Sequence, residues 1–302
     1  MSFKDLEFLI SESKAGRKMR LAVAAAQGVD VLEAVWDAAK EGVVEPVLFG
    51  DLGKIGAIAA ELGIDLSDFA KVPCSSEKDA AEKAVKAVSS GEADLLMKGN
   101  VKTATLLKAV LNKEWGLRTG AILSHLFLFY IPKLGRVVSL TDGGMTMYPD
   151  LNTKKALIEN AVSCYRKLGV ECPKVAVLAA VEVVNPDMPC TLDAAALKQM
   201  NVRGQIKNCI VDGPLALDNA ISEESARHKG IVSEVAGKAD ILLVPDIEAG
   251  NMMGKVMMYM SGGVGAGVIL GAKTPVVLTS RFDSAATKLR SIALGAVLAS
   301  KI

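Results

Sequence analysis

Short apolar runs alternate with stretches of helical spacing along most of the chain, and this alternation constrains the fold more than any other feature. The pattern predicts a strand at residues 19–24, followed by a helix at 31–41 with apolar side chains at helical spacing. The same order repeats at 47–50 and 51–62. Strands and helices that alternate at short intervals form βαβ units, which place the strands in a parallel sheet. The sequence therefore predicts an α/β fold.

The same patterns predict the remaining elements. Further strands are expected at 93–97, 136–140, 175–180, 209–214, 241–244 and 275–278. Further helices are expected at 3–12, 78–89, 154–168, 190–200, 231–238 and 284–299, and another is expected to begin at Thr103 or Thr105 and to end at 112. Asn152-Thr153, Thr191 and Ser284 are the expected caps of the helices at 154–168, 190–200 and 284–299. The run 121–131 is apolar but Ser124-His125 interrupts it, so its type stays open. A domain boundary is expected near residues 135–142.

Composition limits the class of protein. The chain of 302 residues is 51% hydrophobic and only 4% aromatic, so aliphatic side chains must fill the core. A net charge of +1 gives no global field that would attract nucleic acid or an anionic membrane, and any anion site must be local. No apolar stretch is long enough to span a bilayer, and no signal peptide is expected. Five cysteines without a C-x-x-C pair favour a reduced, cytoplasmic setting.

Several conspicuous groups of residues do not match the binding-site patterns that they resemble. The glycine run at 262–267 lacks the third glycine of G-x-G-x-x-G and precedes a predicted strand, so its glycines are expected to permit tight turns. Five methionines between residues 252 and 260 share one predicted helix, where core packing is the favoured interpretation and an acyl pocket the second. Two histidines exclude a histidine-rich metal site. Loop and capping roles are expected for the four aspartates that could be imagined as metal ligands, Asp142, Asp150, Asp212 and Asp246.

Polar clusters follow three predicted strands at the point where each strand ends. Ser280-Arg281 follows 275–278, Lys98 to Thr103 follows 93–97, and Asp246 to Asn251 follows 241–244. In open α/β sheets ligands bind just beyond the carboxyl ends of the strands. A guanidinium with a hydroxyl and the free N–H groups of a helix start suits a phosphate group. Ser280-Arg281 alone is equally compatible with an ordinary capped loop. Together with the Lys98 cluster and with Arg118-Thr119-Gly120 and Ser124-His125, it favours an anion or a phosphorylated ligand.

Longer motifs carry a more specific resemblance. In the first half they are Lys98-Gly99 through Thr103, the run 107–114, Gly116 to Gly120 and Leu123-Ser124-His125. In the second half they are the run 212–220, Pro245 to Asn251 and Thr279-Ser280-Arg281. Together they resemble the phosphate acetyl/butyryltransferase family over nearly the whole chain, and in detail its butyryl branch.

The resemblance implies a fold and an activity. The fold would be two α/β/α domains with a cleft between them, similar to isocitrate and isopropylmalate dehydrogenases, with domain ranges 1–138 plus 276–302 and 139–275. The cleft would hold acyl-CoA and phosphate, and the reaction would move a short acyl group, butyryl by preference, between coenzyme A and inorganic phosphate. Both are substrates, so neither cofactor nor metal is implied. No nucleic acid or membrane partner is expected, and a homodimer or higher homo-oligomer is.

Individual roles follow from the resemblance. Arg281 would hold the phosphoryl group, and Ser280 would hydrogen-bond near the thiol or the developing oxyanion. The acetyl branch has an aspartate seven residues after that serine as the base for the thiol, whereas this chain has Thr287, so the base role falls to Asp283. Lys108 stands where the acetyl branch has an arginine. Substrate and phosphate binding is therefore expected from Lys98, Thr103, Arg118, Ser124, His125, Glu248 and Asn251.

Three alternatives stay open at this point. The first is a phosphate acetyltransferase, since the sequence does not show which side chains line the acyl pocket. The second is a metal- and nicotinamide-dependent decarboxylating dehydrogenase of the same fold, against which the lack of a matching aspartate triad counts. The third is a catalytically silent regulator that binds coenzyme A or a nucleotide, which the missing base at Thr287 makes conceivable.

Overall fold

The protein, seen in a computed structural model that describes residues 3–279 and 283–302, has a mixed α/β fold. Its strands are β1 (Met19–Ala24), β2 (Val44–Gly50), β3 (Ala70–Pro73), β4 (Leu95–Lys98), β5 (Ser124–Ile131), β6 (Arg136–Thr141), β7 (Lys174–Leu178), β8 (Ile210–Leu215), β9 (Ile241–Leu243), β10 (Val264–Leu270) and β11 (Val276–Val277). Its helices are α1 (Phe8–Lys14), α2 (Val29–Lys40), α3 (Leu52–Leu62), α4 (Glu77–Ser89), α5 (Thr103–Val110), α6 (Leu151–Lys167), α7 (Pro189–Val202), α8 (Leu217–Ile221), α9 (Glu223–His228), α10 (Ile247–Tyr259) and α11 (Ala285–Ala299). The predicted alternation of strands and helices is confirmed.

The chain divides into two compact units. The N-terminal unit comprises Leu6–Ala121 and Ala266–Ile302, and the central unit comprises Ile122–Gly265 with the residues before Leu6. The predicted domain ranges, 1–138 plus 276–302 and 139–275, stay a prediction. The division by contacts falls earlier in the chain because β5 and β6 pair as an antiparallel hairpin, and a boundary at 138 would cut through β6.

The N-terminal unit is built on strands in the order β3-β2-β1-β4-β11-β10. The first five run parallel, and β10 pairs antiparallel with β11. The interior is aliphatic, and Leu21, Val23 and Leu96 have no exposed surface. Because β1, β4 and β11 are parallel neighbours, their carboxyl ends meet at one edge of this sheet.

The central unit holds strands in the order β5-β6-β9-β7-β8. All neighbours are parallel except the β5–β6 hairpin. Phe129, Val138, Leu242 and Met257 belong to one buried cluster that forms the centre of this unit. Because β5 is antiparallel to β6 and β6 is parallel to β9, the start of β5 lies at the same edge of the sheet as the ends of β6 and β9. The loops that follow β6 and β9 therefore also lie at this edge.

Two predicted features are wrong for identifiable reasons. No helix spans 231–238; instead the Ser233 hydroxyl accepts hydrogen bonds from the backbone N–H groups of Val235 and Ala236, and α8 and α9 precede this turn. The glycine run is mostly the strand β10 rather than a set of turns. A Cβ on Gly265 would lie 2.0 Å from Cε1 of Phe127, so this glycine makes room for an aromatic ring. Gly262, at φ 65°, is the glycine of the run that serves a turn.

One of the three predicted helix caps is confirmed, and the other two are wrong. Ser284 caps α11 as predicted, since its hydroxyl accepts from the Thr287 backbone N–H. Helix α6 is capped by Asp150 rather than by Asn152-Thr153, with the carboxylate accepting from the Thr153 N–H. Thr191 lies inside α7 rather than at its cap, and its hydroxyl donates hydrogen bonds to the carbonyl oxygens of Asn185 and Met188.

The methionine-rich helix α10 is only partly a core element. Met257 is buried, as predicted, whereas Met252 and Met260 are 63% and 80% exposed. Within the described parts of the chain, no helix combines the length and the apolar character needed to cross a bilayer.

Candidate active site

The loop after β4 is held against the end of β1 by close backbone contact. The Gly99 and Asn100 N–H groups donate to the carbonyl oxygens of Ala24 and Ala25, at 2.9 and 2.7 Å. A Cβ on Gly99 would lie 2.3 Å from the Ala25 oxygen, so only glycine fits this crossing. Lys98, the last residue of β4, is thereby fixed at the carboxyl edge of the sheet.

A small cavity of about 170 Å³ opens at this edge, beyond the ends of β1, β4 and β11. Its lining residues are Gly28, Asp30, Val31, Lys98, Gly99, Asn100 and Thr279. The half-buried Lys98 Nζ donates to the Gly99 carbonyl at 3.3 Å, and Asn100 Nδ2 donates to the Gln27 carbonyl at 3.2 Å. The cavity thus combines an ammonium, a carboxylate and an amide, which suits a polar or anionic group.

Asp30 reaches the cavity from the first turn of α2. Its Oδ2 lies 2.9 Å from Nζ of Lys288, whose side chain is only 4% exposed. Lys288 sits in the first turn of α11, so this ion pair joins the starts of two helices. Neither residue stood out in the sequence. The only available signal was a lysine on the otherwise buried face of the last helix.

The segment that follows β11 contains the predicted catalytic pair. Ser280 and Arg281 lie outside the described residues. Asp283 is half-buried and directly precedes the cap residue Ser284. Thr287 is 1% exposed, and its Oγ1 accepts a hydrogen bond from the Ser284 hydroxyl at 3.0 Å. Thr287 is therefore a packed residue of the first helical turn.

Thr103 and Arg118 occupy different places in the N-terminal unit. Thr103 is half-buried and begins α5, five residues after β4 ends. Arg118 is exposed and forms a bridge with Ala272, in the turn that joins β10 to β11. That turn lies at the amino end of β11, the opposite edge from Lys98. Within this unit the structure therefore brings Lys98 and Thr103 to one edge and does not bring Arg118 to it.

In the central unit, Asp142 organises the loop after β6. Its carboxylate accepts from the backbone N–H groups of His125, Gly144 and Met145, at 2.9, 2.8 and 2.8 Å. The ring of His125 packs over Gly144, where a Cβ would lie 3.0 Å from Nδ1. Ser124 is buried and accepts from Asn160 Nδ2 at 2.9 Å. The predicted pair Ser124-His125 is thus fixed at the start of β5 beside this loop.

Glu248 and Asn251 lie on the first two turns of α10, which Asp246 caps. Both are exposed, and Asn251 Nδ2 donates to the Gly143 carbonyl at 3.3 Å. The Tyr148 hydroxyl donates to Glu248, and this hydrogen bond raises the pKa of Tyr148 above its ordinary value. Tyr148, which no motif in the sequence singles out, thus completes the cluster at the edge where β6 and β9 end.

The loop and capping roles predicted for four aspartates are confirmed for Asp142, Asp150 and Asp246 and are wrong for Asp212, which lies within β8. Asp142 holds a loop, Asp150 and Asp246 cap helices, and Asp212 pairs with Lys198 at 2.6 Å. Within residues 3–279 and 283–302, no group of three or more His, Cys, Asp or Glu side chains is placed to hold a metal ion.

Comparisons with known proteins agree with one another. The family model described as "Phosphate acetyl/butaryl transferase" matches residues 69–296. A phosphate butyryltransferase of Clostridium acetobutylicum is 51% identical over 98% of this chain and 98% of its own length. A phosphate acetyltransferase of Thermotoga maritima is 50% identical over 97% of this chain and 99% of its own. Among solved structures, a branched-chain phosphotransacylase from Enterococcus faecalis V583 superposes with a TM-score of 0.83 at 34% identity, covering 93% of this chain and 99% of that one.

Proposed function

Because the chain belongs to the phosphate acetyl/butaryl transferase family, we propose that it transfers a short acyl group between coenzyme A and inorganic phosphate, with butyryl preferred. The reaction would be reversible and would give an acyl phosphate and free coenzyme A. The observation that carries the acyl transfer is the 51% identity to a phosphate butyryltransferase over 98% of the chain. Membership of this family does not favour a decarboxylating dehydrogenase.

Acetyl transfer is the second candidate. A phosphate acetyltransferase is 50% identical over nearly the same length, so overall identity barely separates the two. The acyl chain length would be selected by the side chains around the acyl group, because each added methylene in an apolar pocket changes binding by about 1–3 kcal/mol.

The proposal includes a two-domain fold of the isocitrate and isopropylmalate dehydrogenase kind, with a cleft that holds both substrates. The residues proposed for binding are Lys98, Thr103, Arg118, Ser124, His125, Glu248 and Asn251. The placement of Lys98 in a polar cavity at a carboxyl sheet edge supports this. The exposed position of Arg118 at the other edge makes it the weakest member of the set.

The chemistry requires charge neutralisation and a reactive sulfur. The ammonium of Lys98 and the guanidinium of Arg281 would neutralise the acyl phosphate so that a thiolate can approach. Ser280 would donate to the oxyanion that forms at the acyl carbon. A free thiol with a pKa of about 8.5 is mostly protonated at neutral pH, so a base must accept its proton. Asp283 is the base that the sequence position suggests.

The proposal also covers the setting of the enzyme. Coenzyme A and phosphate would be substrates, with no metal or nicotinamide required. The protein would work in the cytoplasm as a homodimer or a higher homo-oligomer, without nucleic-acid or membrane partners. Dialysis against EDTA should leave the activity unchanged, and sedimentation should show the oligomer.

One assay tests the proposed reaction. The protein is incubated with butyryl-CoA or acetyl-CoA, with and without phosphate, and thiol release is followed with a chromogenic disulfide. We expect phosphate-dependent release, with kcat/KM higher for butyryl-CoA. A higher kcat/KM for acetyl-CoA would select the second candidate. Absence of phosphate-dependent release with every acyl-CoA up to six carbons would refute the proposed reaction.

A further inference from the structure

Asp30 contributes the carboxylate of the cavity at the carboxyl ends of β1, β4 and β11. Among the lining residues that the structure describes, Lys98 is its cationic counterpart and the others carry no charge. The Asp30 side chain is 44% exposed, so one face of it is open to a ligand. Its position therefore meets the first requirement for a group that exchanges a proton with a bound substrate.

The orientation of Asp30 is set by Lys288. Lys288 Nζ lies 2.9 Å from Asp30 Oδ2, and its side chain is 4% exposed. A buried ammonium requires a charged partner, because an unpaired buried charge is strongly unfavourable. The pair therefore holds the carboxylate in one place. Within the described part of the chain, Oδ1 has no hydrogen bond, so it remains available to a ligand.

Among residues 3–279 and 283–302, charged side chains reach the surroundings of Asp30 from three neighbouring elements and from α2 itself. Lys288 faces Asp30 from α11 and Lys98 from the end of β4, and Glu33 follows one turn later on α2. Helix α3, which also packs against α2, begins at the same edge with the paired charges of Asp51 and Lys54. A thiol entering this cavity would thus meet an oriented carboxylate beside a cation that stabilises a thiolate.

We propose that Asp30, in place of Asp283, accepts the thiol proton of coenzyme A, and that Lys288 is the positioning residue that orients its carboxylate. The inference rests on the proposed acyl transfer. It also supplies the carboxylate that is absent at Thr287: Lys288, in the first turn of α11, pairs with the carboxylate of Asp30 on α2.

The step balances in both directions. The S–H bond breaks as its proton passes to Oδ1 of Asp30. The sulfur electron pair then forms a bond to the acyl carbon, and the bond from that carbon to the phosphate oxygen breaks, which releases inorganic phosphate. In reverse, phosphate attacks the thioester carbon, the carbon–sulfur bond breaks, and the proton returns from Asp30 to the departing sulfur.

The test uses the pH dependence of Asp30→Asn, measured with butyryl phosphate and coenzyme A between about pH 6.5 and 9, a range that spans the thiol pKa. Loss of a general base typically lowers kcat about 10²- to 10⁴-fold. The variant must then rely on thiolate present in solution, so its deficit should shrink by up to about tenfold per pH unit below the thiol pKa. The KM for coenzyme A should stay near the wild-type value.

Two controls separate proton transfer from structure. Asp37→Asn removes an exposed carboxylate from the same helix and should leave the profile unchanged. If Asp30→Asn fails to fold, the double variant Asp30→Asn/Lys288→Met removes both charges of the pair and should show the same shrinking deficit.

The outcomes are distinguishable. A deficit of constant size at every pH would overturn the inference and make the ion pair a structural tie between α2 and α11. A shrinking deficit in Asp283→Asn but not in Asp30→Asn would assign the proton to Asp283 and also overturn it. Failure of the proposed function itself would appear earlier, as a wild-type protein without any phosphate-dependent acyl transfer.

Discussion

Gly99 passes so close to the end of β1 that a single methyl group should disrupt the crossing. In Gly99→Ala the new Cβ would lie 2.3 Å from the Ala25 oxygen and 2.6 Å from the Ala24 oxygen. Both are backbone atoms, which cannot move aside as a flexible side chain can. Overpacking costs about 1–3 kcal/mol, and weakening the two backbone hydrogen bonds at this crossing, without breaking them, adds about 0.5 kcal/mol each. We therefore expect a loss of about 3 kcal/mol in the free energy of unfolding.

Thermal unfolding monitored by circular dichroism measures this loss. A change of 1 kcal/mol shifts the midpoint by about 2–4 °C in a unit of this size, so Gly99→Ala should unfold about 6–12 °C below the wild type. Gly16→Ala is the matched control, because no atom lies within 4 Å of the position that its new Cβ would take. A midpoint for Gly99→Ala within about 1 °C of that control would refute the close crossing, since a strained site must cost more than an open one.

Three further predictions address charge, thiol reactivity and the phosphate site. Burial alone would raise the pKa of Asp94, but hydrogen bonds from Arg17 and Arg20 lower it well below its usual range. The stability that this carboxylate contributes is therefore complete above its unfolded pKa of about 3.9 and is lost as pH falls through the lower folded pKa. In urea denaturation at pH 6 the wild type should have a larger free energy of unfolding than Asp94→Asn. A difference between the two that fails to narrow toward pH 3 would contradict this. Burial raises the pKa of Cys164 and of Cys209 to about 12, whereas Cys172 is exposed. A chromogenic disulfide should therefore label Cys172 in the native protein, and Cys164 and Cys209 only after denaturation. Equal labelling rates for the three thiols would contradict the burial. Arg281→Ala should raise the KM for phosphate far more than the KM for coenzyme A. The control Arg227→Ala, at an exposed arginine of α9, should change neither KM. An equal rise in both KM values for Arg281→Ala would make Arg281 a structural residue.

Local patterns in the sequence were sufficient to predict most elements. Apolar spacing identified the strand Met19–Ala24 to the residue, and the serine before the last amphipathic stretch identified the cap of α11. Such signals lie within a few residues of one another, so no knowledge of distant contacts is needed to detect them. The polar clusters after strands were likewise recognisable, because they depend on the order of residue types along the chain.

Features that depend on distant partners escaped prediction. The glycine run became the strand β10, because Gly265 must accommodate a ring from Phe127, far away in the sequence. Arg118 follows closely after Lys98 in the chain, yet its pairing with Ala272 places it at the opposite edge of the sheet. Sequence proximity could not reveal this, because the partner arrives from the C-terminal part of the chain.

The sequence by itself determined the α/β class, the family and the residue types available for binding a phosphorylated ligand, since each of these is expressed in local order or in long continuous motifs. Only the tertiary structure decided which of those residues share an edge. It also paired Asp30 with Lys288 across 258 positions of chain, a contact that carries no local signal. Charge pairing over such a separation is set by how helices pack on a sheet, and packing is a property of the folded chain as a whole.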